Sequence, residues 1–353
     1  MSEFFASVRV ILGLELRQRV KGVAWYVLIG IFVVIVGIVT VVVWGVSVAF
    51  SGSGDPDAGA TIFSTVIYFV LLLGTLVTPA LSGNAINGDR DAGTLATTQI
   101  TLITAWQLVL GKFLAAWISA LAFLVASTPF ILVASLAGGL AVDTFWISIV
   151  VLALELGIVA AIGVGLSGLL NRPLFSVVVT YLAVAALSIG SLIAFGLGGL
   201  AVQSQVTNTY AYGVTYGDDG QALTCSPPET DTYPTPRFDY FWGILAANPY
   251  VVLADAVPTY YGEYGQPNDL FGQIKYGARA VQQAPDLEIN YDECDPASDF
   301  SEQPTPEDVI NSTVPSWFVG LLIHLVLAAA ALVGAWARLR TPARRLGKGS
   351  RIA

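Results

Sequence analysis

Few side chains in this sequence could perform chemistry, and two of them lie within long apolar runs. His324 is the only histidine of the 353 residues, and Glu155 is the only carboxylate deep inside an apolar run. An ionisable group within a membrane span indicates a role in ion or proton transport. For each residue, a hydrogen bond to a neighbouring helix is the structural alternative. Both residues are therefore candidates for a site, in one chemical role or the other.

The remaining residue patterns argue against catalysis. A single histidine cannot build a multi-histidine metal site. A phosphate-binding loop needs a glycine where Trp106 stands and a Ser or Thr where Phe113 follows Gly111-Lys112. The acidic cluster at 292–299 does not have the spacing of an EF-hand calcium loop. We therefore predict that the chain is not an enzyme, that it has no catalytic residues and no metal site, and that it does not itself hydrolyse ATP.

The composition is that of an integral membrane protein. Hydrophobic residues make up 55% of the chain, charged residues only 12%, and the mean hydropathy is +0.71, whereas soluble domains carry about 25% charged residues. Six apolar runs are long enough to span a bilayer. They lie at about residues 23–50, 61–82, 108–137, 143–170, 174–201 and 317–337. The first run is too long for a signal-peptide core and is predicted to be a retained span.

Basic residues fix the predicted orientation. With a cytoplasmic N-terminus, 13 of the 16 Lys and Arg residues fall on the cytoplasmic side, as the positive-inside rule requires. Both termini are then cytoplasmic, including the basic tail at 338–353. The segment at 202–316 lies outside and carries 17 acidic residues against three basic ones. The spans group as 23–201 and 317–337.

The outer segment also contains the only two cysteines, Cys225 and Cys294. In an oxidising compartment they most simply form a disulfide; two separate buried thiols are the alternative. We expect an irregular outer domain. Its apolar stretch at 238–258 is broken at Asn248-Pro249 and predicts a helix, a turn and a second short helix. That unit either packs on the mouths of the spans or dips into the outer leaflet; a core helix of the outer domain is the alternative.

The most specific pattern lies between the second and third spans. The sequence Asp-Arg-Asp-Ala-Gly-Thr-Leu at 89–95 is followed by Gly111-Lys112 as the third span begins. It resembles the cytoplasmic signature of the type-two ABC exporter permeases, which commonly read acidic-Arg-Glu, one residue, Gly-Thr-Leu and then Gly-Lys. Here Asp replaces Glu at both acidic positions, and Ala-Thr-Thr at 96–98 stands where Glu and Leu are frequent. The resemblance extends to the six-span plan.

The resemblance implies a fold and a set of partners. The fold class is an all-α integral membrane protein with six transmembrane helices, an amphipathic connecting helix at 1–22 and a cytoplasmic coupling loop at 84–107. A separate ABC ATPase subunit, holding ATP and Mg, would bind that loop. The implied ATPase-interface residues are Asp89, Arg90, Asp91, Gly93, Thr94 and Leu95.

A second permease chain, as homodimer or heterodimer, would complete the transport path between the second and fifth spans. By the same resemblance, the path residues are Tyr68, Thr75, Thr78, Thr180 and Tyr181. Membrane lipids would contact the basic residues of the connecting helix and the tail. No nucleic acid is expected as a partner. The excess of Arg over Lys, 12 against 4, is associated with GC-rich bacterial genomes, and the predicted location is the bacterial cytoplasmic membrane.

Two other functions compete with ATP-driven export. An ATP-independent secondary transporter or channel would use Glu155 and His324 as carriers of protons or ions. A membrane enzyme, such as a lipid transferase, would place its site among the outer acidic residues. The substrate of an exporter stays open, although an acidic exit favours cationic or amphipathic molecules.

Overall fold

The computed structural model describes residues 2–51, 58–94, 103–216, 222–262, 265–292 and 304–340. The helices are, in chain order, α1 (Ser2–Lys21), α2 (Val23–Ser51), α3 (Ala58–Ser82), α4 (Asn87–Asp91), α5 (Ala105–Leu136), α6 (Val142–Leu169), α7 (Pro173–Ala185), α8 (Ser191–Ala201), α9 (Trp242–Ala246), α10 (Pro249–Ala256), α11 (Leu270–Ala280), α12 (Pro306–Ser312) and α13 (Trp317–Leu339). A π-helical turn at Ala186–Gly190 joins α7 to α8, and a 3₁₀ turn occupies Phe238–Tyr240.

Among the described residues, six helices are long and apolar enough to cross a membrane, as the six predicted spans require. The first span is α2, the third is α5 and the fourth is α6. The second span is α3 together with the following turn and α4, which continue it to Asp91. The fifth span runs through α7, the π-helical turn and α8, and the sixth is α13. Local signals set the starts of two spans. Thr104 and Gln107 form a capping box before the third span, and Pro173 opens the fifth.

The fourth span lies at the centre of the bundle, and glycines allow its neighbours to approach. A Cβ at Gly163 would lie 2.0 Å from the Ser82 Oγ of the second span. Added Cβ atoms at Gly165 and Gly168 would meet the Ala331 and Ala335 side chains of the sixth span, each at 2.5 Å. Small residues therefore bring three spans together by close helix contact, the arrangement typical of helices in lipid.

The connecting helix α1 packs on the third span through a narrow apolar face. Val8 and Ile11 are buried, and Ile11 lies where a side chain at Gly111 would stand, with its Cγ2 2.7 Å from an added Cβ. Phe5, Val10 and Leu14 are exposed on the rest of the helix. The absence of a side chain at Gly111 thus allows α1 to lie directly against the start of α5.

The outer segment is more regular than predicted, so the chain is mainly rather than entirely helical. A three-stranded sheet has the order β4-β1-β5, with β1 (Gln203–Ala211) antiparallel to β4 (Glu229–Pro236) and parallel to β5 (Glu288–Asp292). A two-stranded antiparallel sheet pairs β2 (Gly213–Tyr216) with β3 (Ala222–Cys225). The prediction of an irregular domain was wrong. The prolines of the segment indicated irregular structure, but Pro234 and Pro236 lie within the strand β4. An edge strand tolerates these prolines, since one side of its backbone forms no ladder.

The predicted helix–turn–helix unit around Asn248-Pro249 is present as α9 and α10. Asn248 caps α10 by accepting a hydrogen bond from the Tyr250 N–H at 2.9 Å. The carbonyl of Ala246, at the end of α9, would lie 2.1 Å from a Cβ at Gly320 in the sixth span. The unit therefore packs on the mouth of the spans, which was the first of the two predicted arrangements.

The disulfide prediction is only partly covered by the described residues. Cys225 ends β3, whereas Cys294 lies outside them. The pairing of these two residues therefore stays a prediction.

A buried ion pair helps to fix the outer unit, the helix–turn–helix of α9 and α10, to the sixth span. The Asp255 carboxylate accepts a hydrogen bond from Arg279 Nε at 2.6 Å, and both side chains are at most 4% exposed. Its second oxygen accepts from the backbone N–H groups of Ser316 and Trp317 at 2.6 and 2.8 Å. The carboxylate thus caps the first turn of the sixth span. Nearby, burial lowers the pKa of Lys275, which donates to the Val257 carbonyl.

We expect Asp255→Asn to destabilise the protein by about 3 to 5 kcal/mol, because it leaves Arg279 buried without a counter-charge. Denaturant unfolding of the purified chain in detergent measures this change. Asp286→Asn is the matched control, since Asp286 is exposed in the same outer segment. Equal stability of the two variants would show that the ion pair does not hold the unit in place.

Candidate functional site

The predicted ATPase-binding residues lie at the end of the second span, around a buried lysine. Lys112, 1% exposed, contacts Glu15 of α1 at 2.5 Å and Asp89 of α4 at 2.7 Å. Its two carboxylate partners are 18% and 30% exposed. One ammonium group therefore joins the connecting helix, the second span and the third span. This assembly, made of α1, α4 and the start of α5, is called the bracket below.

Arg90 points back into the protein. Its Nη1 donates to the Asn87 Oδ1 at 2.5 Å and to the Leu170 carbonyl at 2.9 Å. Leu170 is the residue at which the fourth span ends, so the guanidinium satisfies a carbonyl that the helix leaves free. Arg90 is thus placed to hold the bracket against the fourth span, a role that its place in the motif did not indicate.

A buried network of polar side chains continues this attachment. Ser167 Oγ of the fourth span accepts hydrogen bonds from the backbone N–H groups of Ile86 and Asn87 at 3.0 and 3.1 Å. The Asn87 side chain donates to Ser176 Oγ of the fifth span, and Ser176 donates to the Gly83 carbonyl at 2.6 Å. Three spans thus meet at one end through fully bonded polar groups. Asn87 and Ser176 were not predicted, because Asn87 bonds Ser167 and Ser176 across 80 and 89 residues of chain.

The tip of the bracket is exposed. Residues 91–94 are exposed, in contrast to the half-buried Asp89 and Arg90. Gly93 has a positive φ of 69°, and no atom of the described residues lies within 4 Å of an added Cβ. The Thr94 hydroxyl donates to the Asp89 carbonyl at 3.2 Å. Leu95 lies outside the described residues. Of the predicted interface residues, Asp91, Gly93 and Thr94 therefore face outward.

The predicted path residues divide into two groups. Thr75 and Tyr181 line a cavity of about 460 Å³ between the second and fifth spans, which Tyr250 of α10 also lines. Tyr68, Thr78 and Thr180 do not line it. Tyr68 donates to the Tyr250 carbonyl at 3.1 Å and Thr180 to the carbonyl of Ser176, four residues earlier in its own helix. The buried Thr78 hydroxyl has no hydrogen-bond partner among the described residues.

The same cavity opens at the surface of the bundle. Its walls are mainly apolar, and Leu182 and Ile189 on the fifth span are each 62% exposed. Across the cavity, the Tyr181 hydroxyl donates to the Leu76 carbonyl of the second span at 2.7 Å. The cavity can therefore accept an apolar group from the side, against a hydroxyl-bearing wall.

The two ionisable residues within the spans contact each other. His324 Nδ1 lies 3.0 Å from Glu155 Oε1, and both side chains are at most 2% exposed. His324 Nε2 lies 2.8 Å from the Ala247 carbonyl. A carbonyl can only accept, so Nε2 carries a proton. Nδ1 then either donates to a carboxylate or accepts from a protonated Glu155; both arrangements leave the pair neutral overall.

This pair connects to the fifth span through the residue after Ala247. The Asn248 side chain donates to the Ser188 carbonyl at 2.6 Å and contacts Ser191 Oγ at 2.9 Å. Ser188 lies in the π-helical turn, where the widened backbone releases a carbonyl from the helix ladder. The fourth, fifth and sixth spans are thus linked through Ala247 and Asn248 of the outer unit.

We expect Lys112→Met to loosen α1 from the bundle. Glu15 and Asp89 would then face each other without a cation, at a cost of about 1 to 3 kcal/mol, because water still reaches both carboxylates. Hydrogen exchange of α1 amides should become faster, whereas the exposed control Lys21→Met should leave it unchanged. Unaltered exchange in Lys112→Met would mean that the other contacts of α1 are sufficient to hold it, namely the apolar contact at Gly111 and the hydrogen bond from Arg19 to the Leu81 carbonyl.

A double-mutant cycle tests the Glu155–His324 contact. Glu155→Ala and His324→Ala should each destabilise the protein, and the double variant should cost less than the sum by about 0.5 to 3 kcal/mol. Unfolding in detergent gives the coupling. Ser127→Ala combined with His324→Ala is the control, since the Ser127 hydroxyl bonds within its own helix. Strict additivity for Glu155 and His324 would contradict the contact.

Comparison with known proteins does not identify a family for this chain. The chain matches no protein-family model, and no curated protein matches its sequence. Three features of the structure bear on function: the bracket around Lys112, the cavity between the second and fifth spans, and the Glu155–His324 pair.

Proposed function

We propose that this chain is the transmembrane permease subunit of an ATP-driven exporter of the type-two ABC class. The observation that carries the proposal is the bracket: Lys112 of the Gly-Lys pair bonds Asp89 of the Asp-Arg-Asp motif. Two separate parts of the motif thus form one unit that ends in an exposed tip. A separate ATPase subunit, with its ATP and Mg, would bind at residues 89–95.

The bonds of the bracket suggest how ATP-driven movement would travel. A push on the exposed tip at 91–94 would act on the second and third spans together, because Lys112 joins them. Arg90 and Asn87 would pass the movement to the fourth and fifth spans through Leu170 and Ser176. The chemistry would take place in the ATPase, and this chain would respond as a set of linked helices.

The cavity between the second and fifth spans supports a transport path there. Thr75 and Tyr181 would line it, and a second permease chain, identical or related, would cover its exposed apolar side. The substrate class we favour is amphipathic or cationic, since the cavity wall is apolar and the outer segment is acidic. In this proposal the chain lies in the bacterial cytoplasmic membrane with both termini inside, and Cys225 and Cys294 form a disulfide outside.

The Glu155–His324 contact favours a second candidate function. A neutral pair that shares one proton between Nδ1 and Oε1 could load and release protons in an ATP-independent transporter. Neither residue lines the cavity between the second and fifth spans, however, and His324 Nε2 is already bonded to Ala247. The proposal therefore assigns the pair to linking the spans, and secondary transport is the alternative.

We expect Gly93→Ala to weaken ATPase binding while leaving the permease folded. Alanine fits the open space but not the positive φ, a strain of about 1 to 2 kcal/mol. Relief of this strain should change the shape of the tip and so weaken ATPase binding about fivefold to thirtyfold. Co-purification from the native host in mild detergent, with mass spectrometry of the soluble partner, measures retention; ATPase stimulation measures coupling.

Gly265→Ala is the matched control for this substitution. Gly265 also has a positive φ, 72°, and open space around it, but lies in the outer segment. It should retain the ATPase fully. If no nucleotide-binding protein co-purifies with the native chain, and solute flux persists in ATP-free liposomes, the exporter proposal fails and the Glu155–His324 alternative takes its place.

A further inference from the structure

A second cavity lies at the bracket end of the bundle, away from the proposed path. Its volume is about 530 Å³. It is bounded by the loop between the fourth and fifth spans and by the end of the sixth span. The residues that line it are Leu169, Leu170, Asn171, Arg172, Phe175 and Arg338. We call it the Arg172 cavity.

The Arg172 cavity has an excess of positive charge. Arg172 and Arg338 are both exposed, and within the described ranges neither has a carboxylate oxygen within 4.0 Å. Arg338 makes one long contact, 3.4 Å, to Asn171 Oδ1. Arg90, behind the loop, is close enough to Arg338 for the two charges to repel. An anion in the cavity would offset this repulsion.

The backbone adds to the attraction for an anion. The fifth span begins at Pro173 beside the cavity, and the side chain of its N-cap residue, Arg172, does not cap the first turn. The free N–H groups of a first helical turn attract anions, phosphate in particular. Two guanidinium groups and one helix N-terminus therefore converge on the same space, and arginine binds phosphate oxygens with paired hydrogen bonds.

The other side of the cavity is apolar and faces outward from the bundle. Phe175 lines it and is 54% exposed, and the adjacent Leu174 is 77% exposed. At the same end of the bundle, Trp106 packs edge-on against Trp336, and Arg340 lies over the Trp336 ring. Tryptophans at span ends mark the boundary between hydrocarbon and headgroups. In a bilayer crossed by these spans, the cavity would lie level with the lipid headgroups, and its apolar wall would face the acyl chains.

We propose that the Arg172 cavity binds the phosphate headgroup of an anionic phospholipid from the adjoining leaflet. Arg172 and Arg338 would bind the phosphate oxygens, and Phe175 and Leu174 would contact the upper acyl chain. Basic cavities between spans bind acidic headgroups by this combination of charge and depth. A soluble phosphate would use the arginines but leave the apolar wall exposed. The site is separate from the bracket tip, so the proposal does not depend on an ATPase partner.

Native mass spectrometry of the full chain in detergent tests the site. The probes are phosphatidylglycerol, phosphatidylcholine with the same acyl chains, and inorganic phosphate. The native protein should retain phosphatidylglycerol in preference to the other two. Loss of one arginine near a headgroup weakens binding about fivefold. Arg338→Gln should therefore lower the affinity about fivefold, and Arg172→Gln/Arg338→Gln about 25-fold.

Two variants keep the test specific. Arg340→Gln removes a charge two residues from Arg338 but outside the cavity lining, and should change binding less than twofold. Arg172→Lys/Arg338→Lys keeps the charge and should retain most of the lipid, even if the glutamine pair proves unstable on heating. Equal retention of both phospholipids, equal loss in Arg340→Gln, or displacement by inorganic phosphate at the lipid's own concentration would each overturn the proposal.

Discussion

Lipid cannot bond polar groups, so a polar side chain within a span is stabilised by a partner in its own helix or on another helix. This constraint organises the bundle. Ser167 of the fourth span bonds the backbone at the end of the second, and Glu155 of the same span contacts His324 of the sixth. The glycines at 163–168 bring the helices close enough for these bonds to form. The fourth span is thus the element to which the others are attached.

The bonds lie at two levels along that span, and this separation has a mechanical meaning. Near one end, Ser167 and Leu170 hold the bracket; nearer the other, Glu155 reaches the outer unit through His324 and Ala247. The residues at both levels are buried and hydrogen-bonded, so a shift of the fourth span at either level would also displace the partners bonded there. In the proposed exporter, a force applied to the bracket would therefore reach the outer unit through the fourth span.

The sequence predicted those features that depend on composition along the chain. Apolar run length gave the six spans, and Asn248-Pro249 gave the break between α9 and α10. Pairings across the chain were not predictable, since Lys112 meets Glu15 from 97 residues away. The π-helical turn at 186–190 has no residue signature in an apolar run. The outer strands were not predicted, because the prolines and polar residues of the segment indicated irregular structure. The edge strands of the sheet tolerate such residues.

The outer sheet is attached directly to the end of the fifth span, so a tilt of that span would move the sheet with it. Only Val202 separates α8 from β1, and the Arg237 N–H, just after β4, donates to the Gly199 and Val202 carbonyls at that junction. Both strands are thus fastened to the end of one helix. β1 has nine residues, a length of about 30 Å. A tilt of about 10° in the span would move the far end of this strand by roughly 5 Å, so a small rotation of one helix would become a larger displacement at the end of the sheet.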